Sequence, residues 1–158
     1  MKKIAIEIKW GVIFAILSLL WMMLEKALGW HDELIDKHMI YTNFFAIVAI
    51  AVYVVALLDK RKNYYNGKMT WLQGFLSGIW IAVVVAILAP LTQYITSTII
   101  TPEYFPNVIE ASVELGMKTR EEAEAYFSLK NYIMQSVIGA LVIGAVTSAI
   151  VALFVKRK

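Results

Sequence analysis

Cysteine is absent from the 158 residues, which removes disulfides, thiolate nucleophiles and sulfur metal ligands together. Charge is scarce: Asp, Glu, Lys and Arg make up 17% of the chain, against about 25% in ordinary soluble domains. There is no phosphate-binding glycine loop, no Gly-x-Ser-x-Gly elbow and no pair of aspartates within an apolar run, so the usual catalytic templates fail. No enzyme activity and no cofactor is expected.

What is abundant is apolar, at 60% of residues, and it is gathered into runs. About 20 apolar residues suffice for a helix to cross the hydrocarbon core. Four runs approach or exceed this length: "WGVIFAILSLLWMMLEKALGW", "MIYTNFFAIVAIAVYVVALL", the stretch from Trp71 through Pro90, and Tyr132 to Val155. The expected spans are 8–29, 38–58, 71–97 and 131–155, with a helical segment at 102–130, in a single transmembrane domain over 1–158. Glu7 and Lys9 break the pattern of a secretory signal, and no small-residue cleavage site follows, so the first span is expected to be retained. The fold expected is all-α, an integral membrane four-helix bundle with an outer amphipathic helical hairpin between spans three and four.

Lysine and arginine set the expected orientation. With even crossings, ten basic and two acidic residues fall on one side and five basic and ten acidic on the other, giving +8 and −5 within the net +3. Both termini and the loop "DKRKNYYNGK", turned at Asn66-Gly67, are therefore expected in the cytoplasm, with the protein in the bacterial inner membrane. No aromatic-basic interleaving accompanies the charge, so nucleic acid is not an expected partner. The lipid bilayer is, together with a second copy of the chain or another envelope membrane protein.

Local signals place the helix starts. Thr70 and Gln73 have capping-box spacing, as do Thr119 and Glu122. Arg120 is expected to pair with Glu124, and the helix begun there to run through Tyr126 and Phe127 straight into span four. Thr101 is the expected cap of a short helix ended by Gly116. Gly74, Gly78, Ala82 and Ala86 recur every four residues in span three, and Ala140, Gly144, Ser148 and Ala152 repeat the device in span four. Such stripes let helix backbones approach closely where lipid supplies no hydrophobic drive. The two spans are expected to touch along them, or one to face a second protomer.

A candidate polar site lies in the outer third of the bundle. Glu25, His31, His38 and Asn43 come from the end of span one and the start of span two; Gln93, Asn131 and Gln135 fall at similar depth on spans three and four. Polar groups at that depth need partners or water, and Glu25 is expected to find His31 or a residue of another helix. The spacing is neither His-x-x-x-His nor Glu-x-x-His, so no metal site is expected.

The "HDELI" loop, the "GKMTWLQGFLSG" start of span three and the "TPEYF…GMKTREEAEAYF" segment resemble the bacterial domain-of-unknown-function family 4199 over nearly the whole chain. The resemblance implies a small multi-pass inner-membrane protein and carries no activity or site residues. Three functions remain open on the residues: a non-enzymatic role in envelope structure or assembly, a small transporter or channel-like module using the polar site, and an accessory subunit of a membrane enzyme acting on lipid-linked substrates.

Overall fold

The computed structural model describes residues 4–157, so Lys2, Lys3 and Lys158, counted above on the basic side, lie outside the described residues. Among the described residues seven α-helices follow one another: α1 (Ala5–Ala27), α2 (His38–Tyr41), α3 (Phe45–Asn63), α4 (Trp71–Ile95), α5 (Tyr104–Glu114), α6 (Arg120–Tyr126) and α7 (Leu129–Val155). Short 3-10 turns at Ile35–Lys37 and Thr42–Phe44 join α2 to its neighbours, and a π-helical stretch, Thr96–Ile100, extends α4. Four continuous helical segments, Ala5–Ala27, Ile35–Asn63, Trp71–Ile100 and Leu129–Val155, are long and apolar enough to cross a membrane. Large apolar side chains such as Ile16, Ile47, Ile87 and Phe154 stand exposed on them, which suits a lipid-facing surface.

The capping box at Thr70 is formed: its hydroxyl accepts from the Gln73 amide at 3.3 Å, and the Gln73 side chain accepts from the Thr70 amide at 2.8 Å. Thr70→Ala should lower stability by about 1 kcal/mol, read as a modest fall in Tm in detergent. α4 passes through Pro90 without ending. α3 continues beyond the expected boundary to Asn63, so Lys60, Arg61 and Lys62 sit on its last turn, where cations favour the helix dipole. The turn that follows uses left-handed backbone at Asn66 and Gly67, the conformation expected of that dipeptide.

α4 is the centre of the bundle, packed chiefly on α7 and then on α1. The α4–α7 seam is built on the small residues: a Cβ placed at Gly74 would stand 3.1 Å from Ala152 Cβ, at Gly78 it would overlap Ser148, and at Gly144 it would stand 2.6 Å from Ala82 Cβ. At one end, Met69 and Arg157 exchange both backbone hydrogen bonds, at 2.9 and 2.8 Å, and the Arg61 guanidinium donates to the Val155 carbonyl at 2.7 Å. This basic end also holds the apolar core, formed by Tyr53, Ala56, Leu57, Met69, Ile81, Val151, Ala152 and Val155.

Two sequence expectations need correction between α5 and α7. The helix begun at Arg120 does not run into the last span. It stops at Tyr126, Phe127 leaves helical geometry, and Ser128 caps α7 by accepting from the Asn131 amide. A serine three residues before a hydrogen-bonding amide is a start signal in its own right, and here it outweighs the continuous apolar pattern. Arg120 stands 4.0 Å from Glu110 on the facing helix, and no Arg120–Glu124 pair accompanies it among the described residues. The Thr119–Glu122 capping box is formed, and the hydrogen bonds from Thr119 hold the Glu122 carboxyl below its usual range. α5 starts at Tyr104, which puts Pro106 inside the first turn, where its missing N–H costs nothing. Its N-cap position is Glu103, without a side-chain bond; Thr101, the expected cap, is buried instead.

Candidate functional site

Glu25 lies in the last turn of α1 and is fully buried. The chain reverses just beyond it through a Schellman motif: Trp30 N–H bonds the Glu25 carbonyl, Gly29 N–H bonds that of Lys26, both at 3.0 Å, and Gly29 takes φ 73°. Glycine adopts that conformation without penalty. The reversal folds His31 back over Glu25, and its Nε2 lies 2.9 Å from Glu25 Oε2. His38, the first residue of α2, brings its Nε2 to 3.1 Å from the same oxygen. Trp21, one turn before Glu25, donates its indole N–H to the other carboxylate oxygen, Oε1. Lys26, adjacent in sequence, points away and donates to the Ile100 carbonyl at the end of the π-helical stretch.

Two tyrosines extend the cluster. Tyr104, the first residue of α5, places its hydroxyl 3.3 Å from His38 Nδ1 and 3.2 Å from the Tyr132 hydroxyl on α7. Burial pushes the Tyr104 hydroxyl well above its ordinary pKa, so it stays protonated and keeps a hydrogen to donate. The rings of His31, His38 and Tyr104 meet edge to face at 5.0 to 5.2 Å, which locks both imidazoles. Asn107 on α5 donates to the His31 carbonyl at 3.0 Å and to Asp32 Oδ1 at 2.9 Å, tying the loop down from above. Among the described residues, His31 Nδ1 is the buried side-chain polar atom left without a hydrogen-bond partner.

The cluster faces a cavity. A void of about 410 Å³ is lined by His31, His38, Gln93, Thr96, Thr101, Tyr104, Tyr132 and Gln135. A second void, of about 460 Å³, lies deeper and is more apolar, with Phe14, Trp21, Phe45, Ala46, Tyr53 and Ala140 on its walls. Met22, Thr42, Asn43, Gln93 and Thr96 line both. The two hollows therefore adjoin along a shared wall, polar on one side and apolar on the other, in the acidic half of the bundle. The π-helical stretch begins at that wall with Thr96; such stretches occur often at functional sites.

Of the residues singled out in the sequence, Glu25, His31 and His38 bond directly, and Asn43, Gln93 and Gln135 line the polar hollow. Asn131 does not join them. Its side chain donates to the Tyr126 carbonyl at 2.8 Å, and it lines a surface hollow with Lys118 and Glu122. Sequence reasoning missed Trp21, whose four-residue offset from Glu25 was legible, and Tyr104 and Tyr132, for which no local signal existed. It also missed a second buried cluster at the basic end. There Glu7 Oε1 lies 2.8 Å from Lys60 Nζ and accepts from Ser77 Oγ at 2.7 Å, and Lys60 stands 3.9 Å from the centre of the Tyr64 ring. Beside it, Asp59 takes hydrogen bonds from Lys9 and from the Trp10 indole.

A family model described as "Protein of unknown function (DUF4199)" matches residues 9–157. No curated protein and no solved structure matches the chain.

Proposed function

The chain belongs to this family of proteins of unknown function, and from that premise we propose that it binds a small membrane-soluble molecule with a polar head, in the half of a four-span bundle remote from its termini. It resides in the bacterial inner membrane with both ends in the cytoplasm; the clustering of Lys9, Lys60, Arg61, Lys62 and Lys68 at the basic end supports that orientation. The observation that carries the reading is the shared lining of the polar and apolar voids. These voids have the proportions of ligand pockets, a few hundred Å³ each with mostly apolar walls and a few converging polar groups. Asn43, Gln93, Thr101 and Gln135, on the walls of the polar end, supply donors and acceptors for the head, while Phe14, Phe45 and Ala46 surround the body.

Ala46→Phe fills the apolar end without touching the polar cluster. Protein purified in mild detergent should carry one class of amphiphile, identified by mass spectrometry of an organic extract, and Ala46→Phe should lose it while eluting as the parent does on gel filtration. Ile150→Phe, at an exposed position, should retain it. Equal retention by all three proteins, or phospholipid alone in bulk proportions, would leave the role in envelope assembly as the better reading.

A further inference from the structure

We infer that Glu25, His31 and His38 form a binding site for a divalent transition metal, zinc by the character of the ligands. One ligand atom from each residue lies within 4.8 Å of those of the other two. The atoms that converge are Glu25 Oε2, His31 Nε2 and His38 Nε2, at 2.9 and 3.1 Å from the carboxylate oxygen. Ligands held about 2.0–2.1 Å from a tetrahedral zinc ion stand about 3.3 Å apart. The two carboxylate–imidazole separations therefore need to open by only a few tenths of an ångström, and the ligand atoms, all within 4.8 Å of one another, lie in reach of one ion.

The surroundings are those of a metal site. Ligating carboxylates and imidazoles are ordinarily held by hydrogen bonds on their other atoms. Glu25 Oε1 is taken by the Trp21 indole, which leaves Oε2 for the ion. His38 Nδ1 is held by the Tyr104 hydroxyl, which is supported in turn by Tyr132. His31 is 1% exposed, yet its Nδ1 has no partner. That atom lies across the ring from Nε2, so it leaves Nε2 as the His31 nitrogen that faces Glu25 and could ligate the ion. Two histidines and one carboxylate fill three positions of a tetrahedron, and His31 and His38 both border the polar void, so the fourth position faces the cavity. The sequence concealed this set because it is discontinuous: one ligand ends a helix, one follows a glycine reversal and one starts the next helix.

The inference stands apart from the amphiphile proposal, since the three ligands belong to the chain whatever fills the apolar void. Protein stripped with a chelator, then incubated with zinc and desalted, should retain one zinc ion per chain. Cobalt in place of zinc should give the intense visible absorption of a four-coordinate site. His38→Gln keeps a hydrogen bond to Glu25 but offers a far poorer ligand, and should lose stoichiometric zinc and the cobalt spectrum. Tyr104→Phe should keep the stoichiometry with affinity reduced about 10- to 100-fold, the cost of losing a supporting partner. Wild-type protein that retains no zinc after desalting, or unchanged retention in His38→Gln, would overturn the site. Should His38→Gln fail to elute as the parent does, the wild-type cobalt spectrum decides alone, and a six-coordinate spectrum counts against the site. Amphiphile retention, measured on the stripped protein, tests the other proposal separately.

Discussion

Gly78→Ile should reduce the yield of folded, detergent-stable protein by about ten- to a hundredfold, the equivalent of roughly 1–3 kcal/mol of overpacking. The Cβ it introduces would overlap the Ser148 hydroxyl and stand 2.5 Å from Ser148 Cβ and 3.3 Å from its Cα. Carbon atoms pack at about 3.5–4.0 Å, so a change of rotamer at Ser148 does not relieve the clash. The Ser148 hydroxyl is also committed to the Gly144 carbonyl at 2.6 Å. The helices must separate, and separation forfeits dispersion along the most extensive interface in the bundle. Gly144→Ile meets Ala82 in the same way and should behave alike. Gly139→Ile is the control: its Cβ meets nothing within 4 Å, and its elution profile should match the parent. Parental profiles from Gly78→Ile and Gly144→Ile would show that the seam does not hold the fold together.

Lys60→Met should be the most damaging single change at the basic end. Glu7 and Lys60 are both almost fully buried, and removing the cation leaves the carboxylate with the Ser77 hydroxyl alone among the partners described. Breaking a buried ion pair from one side costs about 3–5 kcal/mol, because the remaining charge stays desolvated. Replacing both partners removes that charge, and exchanges of this kind are often neutral. Glu7→Gln combined with Lys60→Met should therefore recover most of the stability that Lys60→Met loses. Thermal unfolding of the parent, both single variants and the double variant gives the coupling directly. Additive losses would mean that the pair contributes nothing as a pair.

The contrast between the two buried clusters shows what a linear sequence can and cannot disclose. Four apolar runs, two capping boxes, the Asn66-Gly67 turn and the small-residue stripes rest on periodicity or on offsets of three and four residues, so they were legible. Glu25 was legible as a carboxylate needing a partner, and His31 was near enough to name. Tyr104 and Tyr132 reach the same place from helices α5 and α7, far along the chain, and only the tertiary arrangement brings them there. Glu7 was misread for a different reason. In the sequence it reads only as a charge that breaks a secretory-signal pattern and adds to the count of one side, whereas the extension of α3 to Asn63 carries Lys60 into the bundle opposite it. The break at Phe127 was hidden because both sides of it are strong helix formers, and a single serine decided the matter.

The paired positions on α4 and α7 share a simple relation. Gly74 with Ala152, Gly78 with Ser148 and Ala82 with Gly144 have residue numbers that add to the same total, as do those of Met69 and Arg157. A comb whose teeth repeat every four residues has no memory of which tooth belongs in which gap: slid by one helical turn, it would again set small against small. The reciprocal backbone pair of Met69 and Arg157 is not part of that repeat, and together with the bond from the Trp71 indole to the Ala149 carbonyl it distinguishes one alignment from the next. The seam supplies grip, and the short crosspiece at its end supplies the zero mark.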